Sequence, residues 1–528
     1  MTHPRRTALA LAAILLAGSA LAGAAAAQDK VLRVIPHADP KVIDPIVTTA
    51  YITRNLSYMV MDVLFAQDAA GKIQPQMAES VAVSADKLTY TIRLRDGLRW
   101  HDGADVTAED CVLSIKRWGA RDSMGQKLMS VVAGFEQPNA KTIVIKLKEP
   151  YGLVLESLGK ISSNVPFMMP KRLAETDPAK SITELVGSGP FIFDKAAWVP
   201  GSKIVVRKNP NYVPRKEPVS AAAGGKIAKV DRIEWLIIPD PTTAMNALIN
   251  GEVDYYENPP PDLIPLLERQ KDKVNVAQLD PLGNQGMLRL NHKQPPFDKV
   301  EARQAIAKLM DQKLYMQTAV GNPLYWKECF SFYACGSALE NKTGYDAFMK
   351  PDLDAAKALL KQAGYDGRKI VIMQPTDIPV TSAASLITAD LMRKAGINVD
   401  LQAMDWATVI SRRASKETPD KGGWHIFPTW WIGGDISNPI THAGIAAACD
   451  RSWFGWPCDE AMESLRDQFA KSTDEAKKKE LANAIQKRAL EIVTHVNFGT
   501  WFNPVAYRVN VTGMIPSPVQ FFWNMGKS

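Results

Sequence analysis

Aromatic side chains and one acid lie close together in the segment TWWIGGDISNPIT, residues 429–441. Trp430 and Trp431 precede the flexible pair Gly433–Gly434, and Asp435 follows directly. A carboxylate that is enclosed away from water needs a cationic partner, because a buried charge without one costs several kcal/mol. An indole face adds a cation–π attraction of roughly 0.5 to 2 kcal/mol. These residue types can therefore bind the positively charged group of a ligand.

Two structural explanations compete with that chemistry. Asp435 can instead cap a turn or a helix before the sequence ISNP. The tryptophans can belong to the core of a strand, since alternation along WHIFPTWW, residues 424–431, turns neighbouring side chains to opposite faces. That alternation predicts that one tryptophan of the pair faces a cleft, and the residues alone leave both explanations open.

The sequence lacks the motifs of the common enzyme classes. It contains no HExxH, no GxSxG and no GxGxxG. The seven histidines are dispersed and are expected to be ordinary surface or core residues, with a metal between His425 and His442 as the alternative. We therefore expect a protein that is not an enzyme, with no catalytic residue, metal or cofactor.

The N-terminus has the three-part form of a secretory signal peptide. Arg5 and Arg6 precede an uncharged run from Ala8 to Ala27. This run is diluted by alanine and short of the about 20 strongly apolar residues that a membrane span needs. We expect residues 1–27 to be removed after export by the Sec or the twin-arginine route. Because no cysteine stands near the cleavage point, we expect no lipid anchor.

The net charge of the remaining chain is mild. Removing the two arginines of the leader leaves 61 basic and 56 acidic residues, a net charge of +5. The basic residues are scattered rather than clustered into a stripe, which argues against a nucleic acid as the partner. No later segment is long and apolar enough to be a membrane span.

Four of the five cysteines lie in two close pairs. Cys329 and Cys335 stand in ECFSFYACGS, and Cys449 and Cys458 stand in ACDRSWFGWPCD. In an exported chain these pairs predict two short-loop disulfides. The fifth, Cys111, lies in a capped helix pattern and is expected to be a small buried apolar residue.

Short strands and helices alternate along the chain. Tyr90, Ile92 and Leu94 point to one side of a predicted strand, and TIVIKL at 142–147 repeats this period of two, so we expect neighbouring antiparallel strands. From about residue 230 the period lengthens into αβ units whose helices stop at Gly364 and Gly396. The pattern predicts an α/β protein with a mixed sheet covered by helices. Residues 221–225 are expected to form a surface loop.

Several separated motifs resemble those of the family 5 extracellular solute-binding proteins. These are the dipeptide-, oligopeptide- and nickel-binding receptors of bacterial ABC importers. The resemblance extends over essentially the whole mature chain, in the expected order. Its motifs are PQMAESVAVSADKLTYTIRLRDGLRWHDGADVTAEDCVLSIKRW (75–118), GSGPF (187–191), VRKNPNY (206–212), LINGEVDYYENPP (248–260), FDKVEARQAIAKLMDQ (297–312) and DLDAAKALLKQAGYDG (352–367).

The resemblance implies a two-lobed periplasmic-binding-protein fold whose hinge is crossed twice by the chain. Lobe I would be discontinuous, with an extra subdomain at 63–186, and lobe II would span 284–499. The other parts of lobe I would be residues 28–62, 187–283 and 500–528. A monomeric periplasmic receptor would close on its solute and deliver it to the transmembrane subunits of an ABC permease.

The resemblance also indicates site residues. In dipeptide-binding relatives an Asp four residues before a proline pairs with the ligand's α-ammonium, which here is Asp435 before Pro439. Trp430 and Trp431 would supply aromatic surface, and Trp406 follows a strand that ends near the cleft or else packs in the core. The first-lobe loop that contacts ligand would contain Thr48, Thr49, Ala50 and Tyr51, where either threonine can also cap a helix.

One departure limits what the resemblance implies about the ligand. Dipeptide receptors clamp the peptide carboxylate with an arginine at the start of the helix before LMRKAG, and this chain has PVTSAASLITADL there. A carboxylate would need another donor, or the ligand would lack one. We predict capture of a peptide or a peptide-like cationic solute. A metal chelate, haem or sugar, an exported hydrolase, and a signalling receptor are the alternatives.

Overall fold

A computed structural model describes residues 29–472 and 474–528 of the protein. The predicted signal peptide and its cleavage point lie outside the described residues. Within the described ranges, no helix has the length and apolar character required to cross a membrane.

The first of two large mixed sheets has seven strands. Its central strand, Val31–Ile35, pairs in parallel with both neighbours, and the other pairs are antiparallel. Helices Tyr51–Val60, Pro241–Asn250 and Ile264–Glu268 pack against this seven-stranded sheet. Its strands are, in spatial order, Phe191–Phe193, Lys203–Lys208, Arg232–Leu236, Val31–Ile35, Tyr255–Tyr256, Val505–Arg508 and Val274–Ala277.

The second large sheet has six strands and is also mixed. Its strands are, in spatial order, Trp326–Lys327, Val496–Trp501, Asn284–Leu290, Ile426–Ile432, Ile370–Pro375 and Val399–Met404. The helices that pack on this six-stranded sheet or on one another are Val300–Ala307, Gln312–Ala319, Tyr345–Met349, Leu353–Gln362, Pro379–Lys394, Trp406–Arg412, Gly433–Ile436, Glu460–Lys471 and Glu475–Ile492.

A smaller antiparallel sheet follows the first strand and helix. Its strands are Ala78–Val83, Thr89–Leu94, Thr142–Leu147 and Val132–Asn139, in spatial order, with helices Ala108–Gly119, Ser123–Val131, Val154–Leu158 and Lys171–Ala174 in the same segment. Strand Thr89–Leu94 lies beside Thr142–Leu147, and Tyr90, Ile92 and Leu94 are buried. The predicted antiparallel neighbours are therefore confirmed.

The chain passes between the two large sheets twice. Residues 278–283 connect Val274–Ala277 to Asn284–Leu290, and residues 502–504 connect Val496–Trp501 to Val505–Arg508. The predicted helix stops are confirmed, because Gly364 and Gly396 have φ angles of +68° and +87°, which favour glycine. The predicted α/β class with mixed sheets is confirmed as well.

Both predicted disulfides are present. The Cα atoms are 5.8 Å apart in Cys329–Cys335 and 4.0 Å apart in Cys449–Cys458. Cys111 is a buried free thiol in helix Ala108–Gly119, which begins with a capping box formed by Thr107 and Asp110.

Replacing both Cys449 and Cys458 by Ser should lower the melting temperature. The disulfide closes a short loop, and its loss is expected to reduce the free energy of unfolding by about 2 to 3 kcal/mol because the unfolded chain gains freedom. Differential scanning calorimetry measures the change. Mass spectrometry of protein prepared from an oxidising compartment shows whether the Cys449–Cys458 disulfide forms. Free thiols at both cysteines would contradict its presence.

Residues 221–225 form an irregular loop, as predicted, but the prediction that this loop lies at the surface is wrong. Ala221, Ala222 and Ala223 are buried, and a Cβ at Gly224 would lie 2.1 Å from the carbonyl oxygen of Pro218. This segment passes inward because the next charged residue, Lys226, forms a fully buried ion pair with Asp62. Glycine and alanine fit here because there is no space for larger side chains.

Candidate ligand-binding site

A row of three cavities lies between residues from the part of the chain before residue 284, which holds most of the seven-stranded sheet, and residues from the part after it, which holds the six-stranded sheet. The first, the proline cavity, has a volume of about 240 Å³ and is lined by residues 35–39 and 256–261 on one side and 377–380 on the other. The second, the loop cavity, has a volume of about 330 Å³ and is lined by residues of 46–49 and 120–126 on one side and by 450–454 on the other.

A narrow cavity of about 20 Å³, the neck, lies between them. His37 and Trp430 line both the neck and the proline cavity, and Thr49 and Trp453 line both the neck and the loop cavity. The three cavities are therefore neighbours, with the neck between the other two.

Six of the eight predicted ligand-binding residues line the neck. They are Thr49, Ala50, Tyr51, Trp406, Trp430 and Trp431. The other two, Thr48 and Asp435, are buried beside it and are not among its lining residues. The structure thus brings together residues that are far apart in sequence, while their contact with a ligand stays a prediction.

The tryptophan pair reaches the neck from the end of strand Ile426–Ile432. Trp430 is half-buried, and its ring centroid is 5.0 Å from that of Trp406. Trp431 is buried, with its ring 5.1 Å from Trp453 and its Nε1–H donated to Met287 Sδ at 3.1 Å. Both border the neck, Trp430 with more of its side chain exposed than Trp431, and which of them faces a ligand stays a prediction. Trp406 also belongs to a buried aromatic cluster, so it both lines the neck and packs in the core.

Asp435 is buried within the one-turn helix Gly433–Ile436, whose N-cap is Ile432. The capping explanation for this acid is therefore wrong. Its Oδ2 accepts hydrogen bonds from the Tyr51 hydroxyl at 2.8 Å and the Ser162 hydroxyl at 3.1 Å. Its Oδ1 is buried and has no hydrogen-bond partner among the described residues.

The charge of Asp435 is balanced in part by the protein itself. Burial raises the pKa of Asp435, and the nearby cations Lys160 and Arg54 oppose that rise. Lys160 also pairs with Asp122, and Arg54 donates to Ser162. Asp435 thus combines an oxygen held by hydroxyl groups with a second oxygen that is free to accept.

Tyr51 joins the two sides of the cleft. It is the first residue of helix Tyr51–Val60, and its hydroxyl accepts from Ile432 N at 2.8 Å while it donates to Asp435. Burial, together with the Asp435 charge, raises the pKa of Tyr51 well above its usual value, so the hydroxyl stays protonated and can donate. The predicted threonine cap is wrong: the N-cap is Ala50, and Thr48 Oγ1 accepts from Ala50 N before the helix begins.

Arg413 and Trp453 line the neck and were not predicted. Arg413 follows helix Trp406–Arg412 and donates from Nη2 to Thr49 Oγ1 at 3.2 Å. Trp453 lies in the loop closed by Cys449–Cys458 and donates from Nε1 to the same hydroxyl at 3.3 Å. The sequence feature that could have indicated this loop as part of the site is its group of three aromatic residues in CDRSWFGWPC.

The histidines show no metal-binding arrangement within the described ranges, where no group of three or more His, Cys, Asp or Glu side chains could hold a metal ion. His425 Nδ1 accepts from Val371 N at 2.9 Å, whereas His442 lies beside His495 with ring centroids 5.4 Å apart. His425 and His442, between which a metal was considered as an alternative, therefore contact different residues.

A family model and one relative cover most of the chain. The model described as bacterial extracellular solute-binding proteins, family 5 Middle, matches residues 72–445. The probable peptide ABC transporter periplasmic-binding protein of Sinorhizobium fredii (strain NBRC 101917 / NGR234) is 39% identical over 525 residues, which cover 97% of this chain and 98% of that protein.

Solved structures of periplasmic binding proteins share the architecture. AgaA of A. tumefaciens R10, in complex with agropinic acid, has a TM-score of 0.78 at 23% identity and covers 94% of this chain and 99% of its own. DppA of Helicobacter pylori, in complex with the peptide STSA, has a TM-score of 0.78 at 21% identity and covers 94% and 98%. At these identities the similarity shows the fold, and the predicted fold class is confirmed.

Proposed function

We propose that this chain, which belongs to family 5 of the bacterial extracellular solute-binding proteins, is the receptor of an ABC importer for peptides or peptide-like amines. It captures the solute between the two large sheets and delivers it to the membrane-spanning permease subunits. The S. fredii relative, which is named a probable peptide ABC transporter periplasmic-binding protein, supports this substrate class.

The observation that carries the proposal is the row of cavities between the sheets. Residues from 35–261 and residues from 377–503 line each cavity, and the chain crosses between the sheets at 278–283 and 502–504. A rotation about these two connections would open the row to solvent and close it again over a solute, as in hinge closure of binding proteins. The moving lobes would be those predicted, with residues 28–62, 187–283 and 500–528 in lobe I, 63–186 as its extra subdomain and 284–499 in lobe II.

The chemistry of the neck supports a solute with an amine. The unpaired Oδ1 of buried Asp435 would accept from an ammonium group, because an acceptor left without a partner away from water is costly. The indole ring of Trp430, half-buried at the neck, would add contact with the attached carbon atoms or with the cation.

We propose three further properties of the receptor. The receptor catalyses no reaction, because ATP hydrolysis belongs to other subunits of such importers. It acts as a monomer. It is released into the periplasm after loss of residues 1–27, without a lipid anchor.

Retention of peptides by the purified protein tests the proposal. The protein, prepared without unfolding, is mixed with an equimolar library of random tripeptides that have free termini, then separated from unbound solute and analysed by mass spectrometry. We expect a defined subset of peptides to be retained. If neither library members nor co-purifying peptides or amines are found, the proposed substrate class is wrong.

A further inference from the structure

One of the two disulfides is exposed and closes a loop of the candidate site. The bridge Cys449–Cys458 closes residues 449–458, the disulfide loop, and both of its cysteines are exposed. The other bridge, Cys329–Cys335, is buried, with exposed fractions of 1% and 7%. A thiolate must reach a sulfur atom in order to break a disulfide. Cys449–Cys458 is therefore the disulfide that a reductant in solution attacks first.

The disulfide loop forms one wall of the cavities. Trp453 lines both the neck and the loop cavity, and Phe454 and Trp456 line the loop cavity. Trp453 also reaches the opposite side of the cleft, because its Nε1 donates to Thr49 Oγ1 at 3.3 Å. Its ring centroid lies 5.1 Å from that of Trp431, which lines the neck as well. A solute in the neck would contact a ring whose position depends on this loop.

The backbone of the disulfide loop is strained at two positions. Cys449 has a φ angle of +58° and Trp456 has a φ angle of +48°, both in the left-handed region that residues other than glycine rarely adopt. Such a conformation costs free energy and persists only where the surrounding structure holds it, often beside a ligand-binding site. The contacts that hold the two ends of the loop therefore decide whether it keeps this conformation.

The outer side of the loop depends on the disulfide. The carbonyl oxygen of Pro457 accepts from Cys449 N at 3.0 Å and from Ser452 Oγ at 2.9 Å. The disulfide keeps Pro457 in this place, because Pro457 directly precedes Cys458. Without the covalent bridge, the strained backbone at Cys449 is free to relax, and residues 449–452 move with it.

The inner side of the loop is held independently of the disulfide. Arg289 is completely buried in strand Asn284–Leu290, and its guanidinium donates to the carbonyl oxygens of Trp453 and Phe454. The reduced protein should therefore remain folded and keep this inner anchor. The loop can then rotate about the anchor, so the ring of Trp453 loses its fixed position at the neck.

We propose that Cys449–Cys458 is a redox switch of solute binding, an inference that rests on the proposed function. In the oxidised protein the disulfide loop fixes Trp453 across the cleft, and the solute binds tightly. In the reduced protein the loop relaxes, and the solute binds more weakly. The reaction is an exchange with a dithiol: the Cys449–Cys458 S–S bond breaks and two thiols form. The dithiol supplies the two electrons and two protons and becomes a disulfide itself.

Peptide retention by oxidised and reduced protein tests this proposal. Dithiothreitol is added until mass spectrometry of the alkylated protein shows free thiols at Cys449 and Cys458 and an intact Cys329–Cys335 bridge. The probe is an equimolar library of tripeptides with free termini, at a concentration below saturation. We expect the reduced protein, folded by circular dichroism, to retain at least about fivefold less peptide, a usual size for coupling between two sites. Equal retention by both forms would overturn the proposal.

Variants assign the effect to this disulfide and to Trp453. The double variant Cys449→Ser with Cys458→Ser should retain as little peptide as reduced wild type, with or without dithiothreitol. In Trp453→Ala, retention should no longer depend on dithiothreitol. Trp198→Ala removes a half-buried tryptophan that lines none of the three cavities, and it should keep the dependence. Retention by the double variant equal to that of oxidised wild type would overturn the proposal. If that variant does not fold, reduction of wild type still decides.

The coupling must also act in the opposite direction. If reduction weakens binding by a given factor, bound peptide must oppose reduction by the same factor. Saturating library peptides should therefore raise the ratio of reduced to oxidised dithiothreitol at which half of Cys449–Cys458 is broken. A disulfide that only stabilises the fold would show no such shift, and an unchanged ratio would overturn the proposal.

Failure of this proposal can be told apart from failure of the proposed function. If oxidised wild-type protein retains no peptide, the proposed substrate class is wrong, and the redox switch of its binding is wrong with it. If both redox forms retain peptides equally, the receptor function stands and the switch is wrong.

Discussion

Replacing Asp435 by Asn is expected to weaken the binding of amine-bearing peptides by more than about tenfold while the protein remains folded. Asn keeps the shape of the side chain, and its oxygen can still accept the hydrogen bonds from Tyr51 and Ser162. It cannot supply the negative charge that a buried ammonium group requires. Arg54 and Lys160 have other acidic neighbours, Glu257 and Asp122, which limits the effect on folding.

Isothermal titration calorimetry with matched peptides measures this effect. Wild-type protein should prefer a retained peptide over its N-acetylated form, and Asp435→Asn should lose that preference. Asp390→Asn removes the same charge from an exposed position and should behave like wild type. Unchanged affinity in Asp435→Asn would remove this acid from the ligand-binding site.

Replacing Lys226 by Met is expected to lower the free energy of unfolding by about 3 to 5 kcal/mol. Lys226 Nζ lies 2.7 Å from Asp62 Oδ1, and both side chains are completely buried. The variant leaves the carboxylate of Asp62 buried without its cation, although Tyr212 still donates to Oδ2 at 3.0 Å. Lys226 also lies over the ring of Trp523, so the loss affects packing near the C-terminus as well.

Denaturant unfolding of single and double variants measures the pair. The double variant Lys226→Met with Asp62→Asn should be more stable than Lys226→Met alone, because neither charge then remains unpaired. Lys394→Met, which breaks an exposed ion pair with Asp390, should cost less than about 1 kcal/mol. A Lys226→Met variant as stable as wild type would contradict the assigned pairing.

Local patterns predicted much of the fold. The alternation of side chains at 90–94 and 142–147 predicted two neighbouring strands, and the glycines at 364 and 396 predicted helix ends. Both predictions succeeded because a strand period and a helix end depend on backbone geometry over only a few residues. The loop at 221–225 was wrongly predicted to lie at the surface, because its composition is typical of surface loops. Its burial depends on Asp62, which lies more than 150 residues away in sequence.

The candidate site could be predicted in part. Residues 49–51 and 430–431 were identified through resemblance to relatives, and they do lie around one cavity. Arg413 was missed because nothing in its neighbourhood in sequence distinguishes it from the adjacent Arg412. What distinguishes it is burial without a carboxylate, which only the assembled cleft reveals. The sequence lacks an arginine at the start of helix Pro379–Lys394, whereas Arg413 lies directly after helix Trp406–Arg412.

A crystal structure of the protein with its retained solute would show directly where the ligand binds. We predict electron density for the solute in the row of cavities, with its amine at Asp435 Oδ1. A solute bound outside these cavities, or one whose amine does not contact Asp435, would contradict the proposed function.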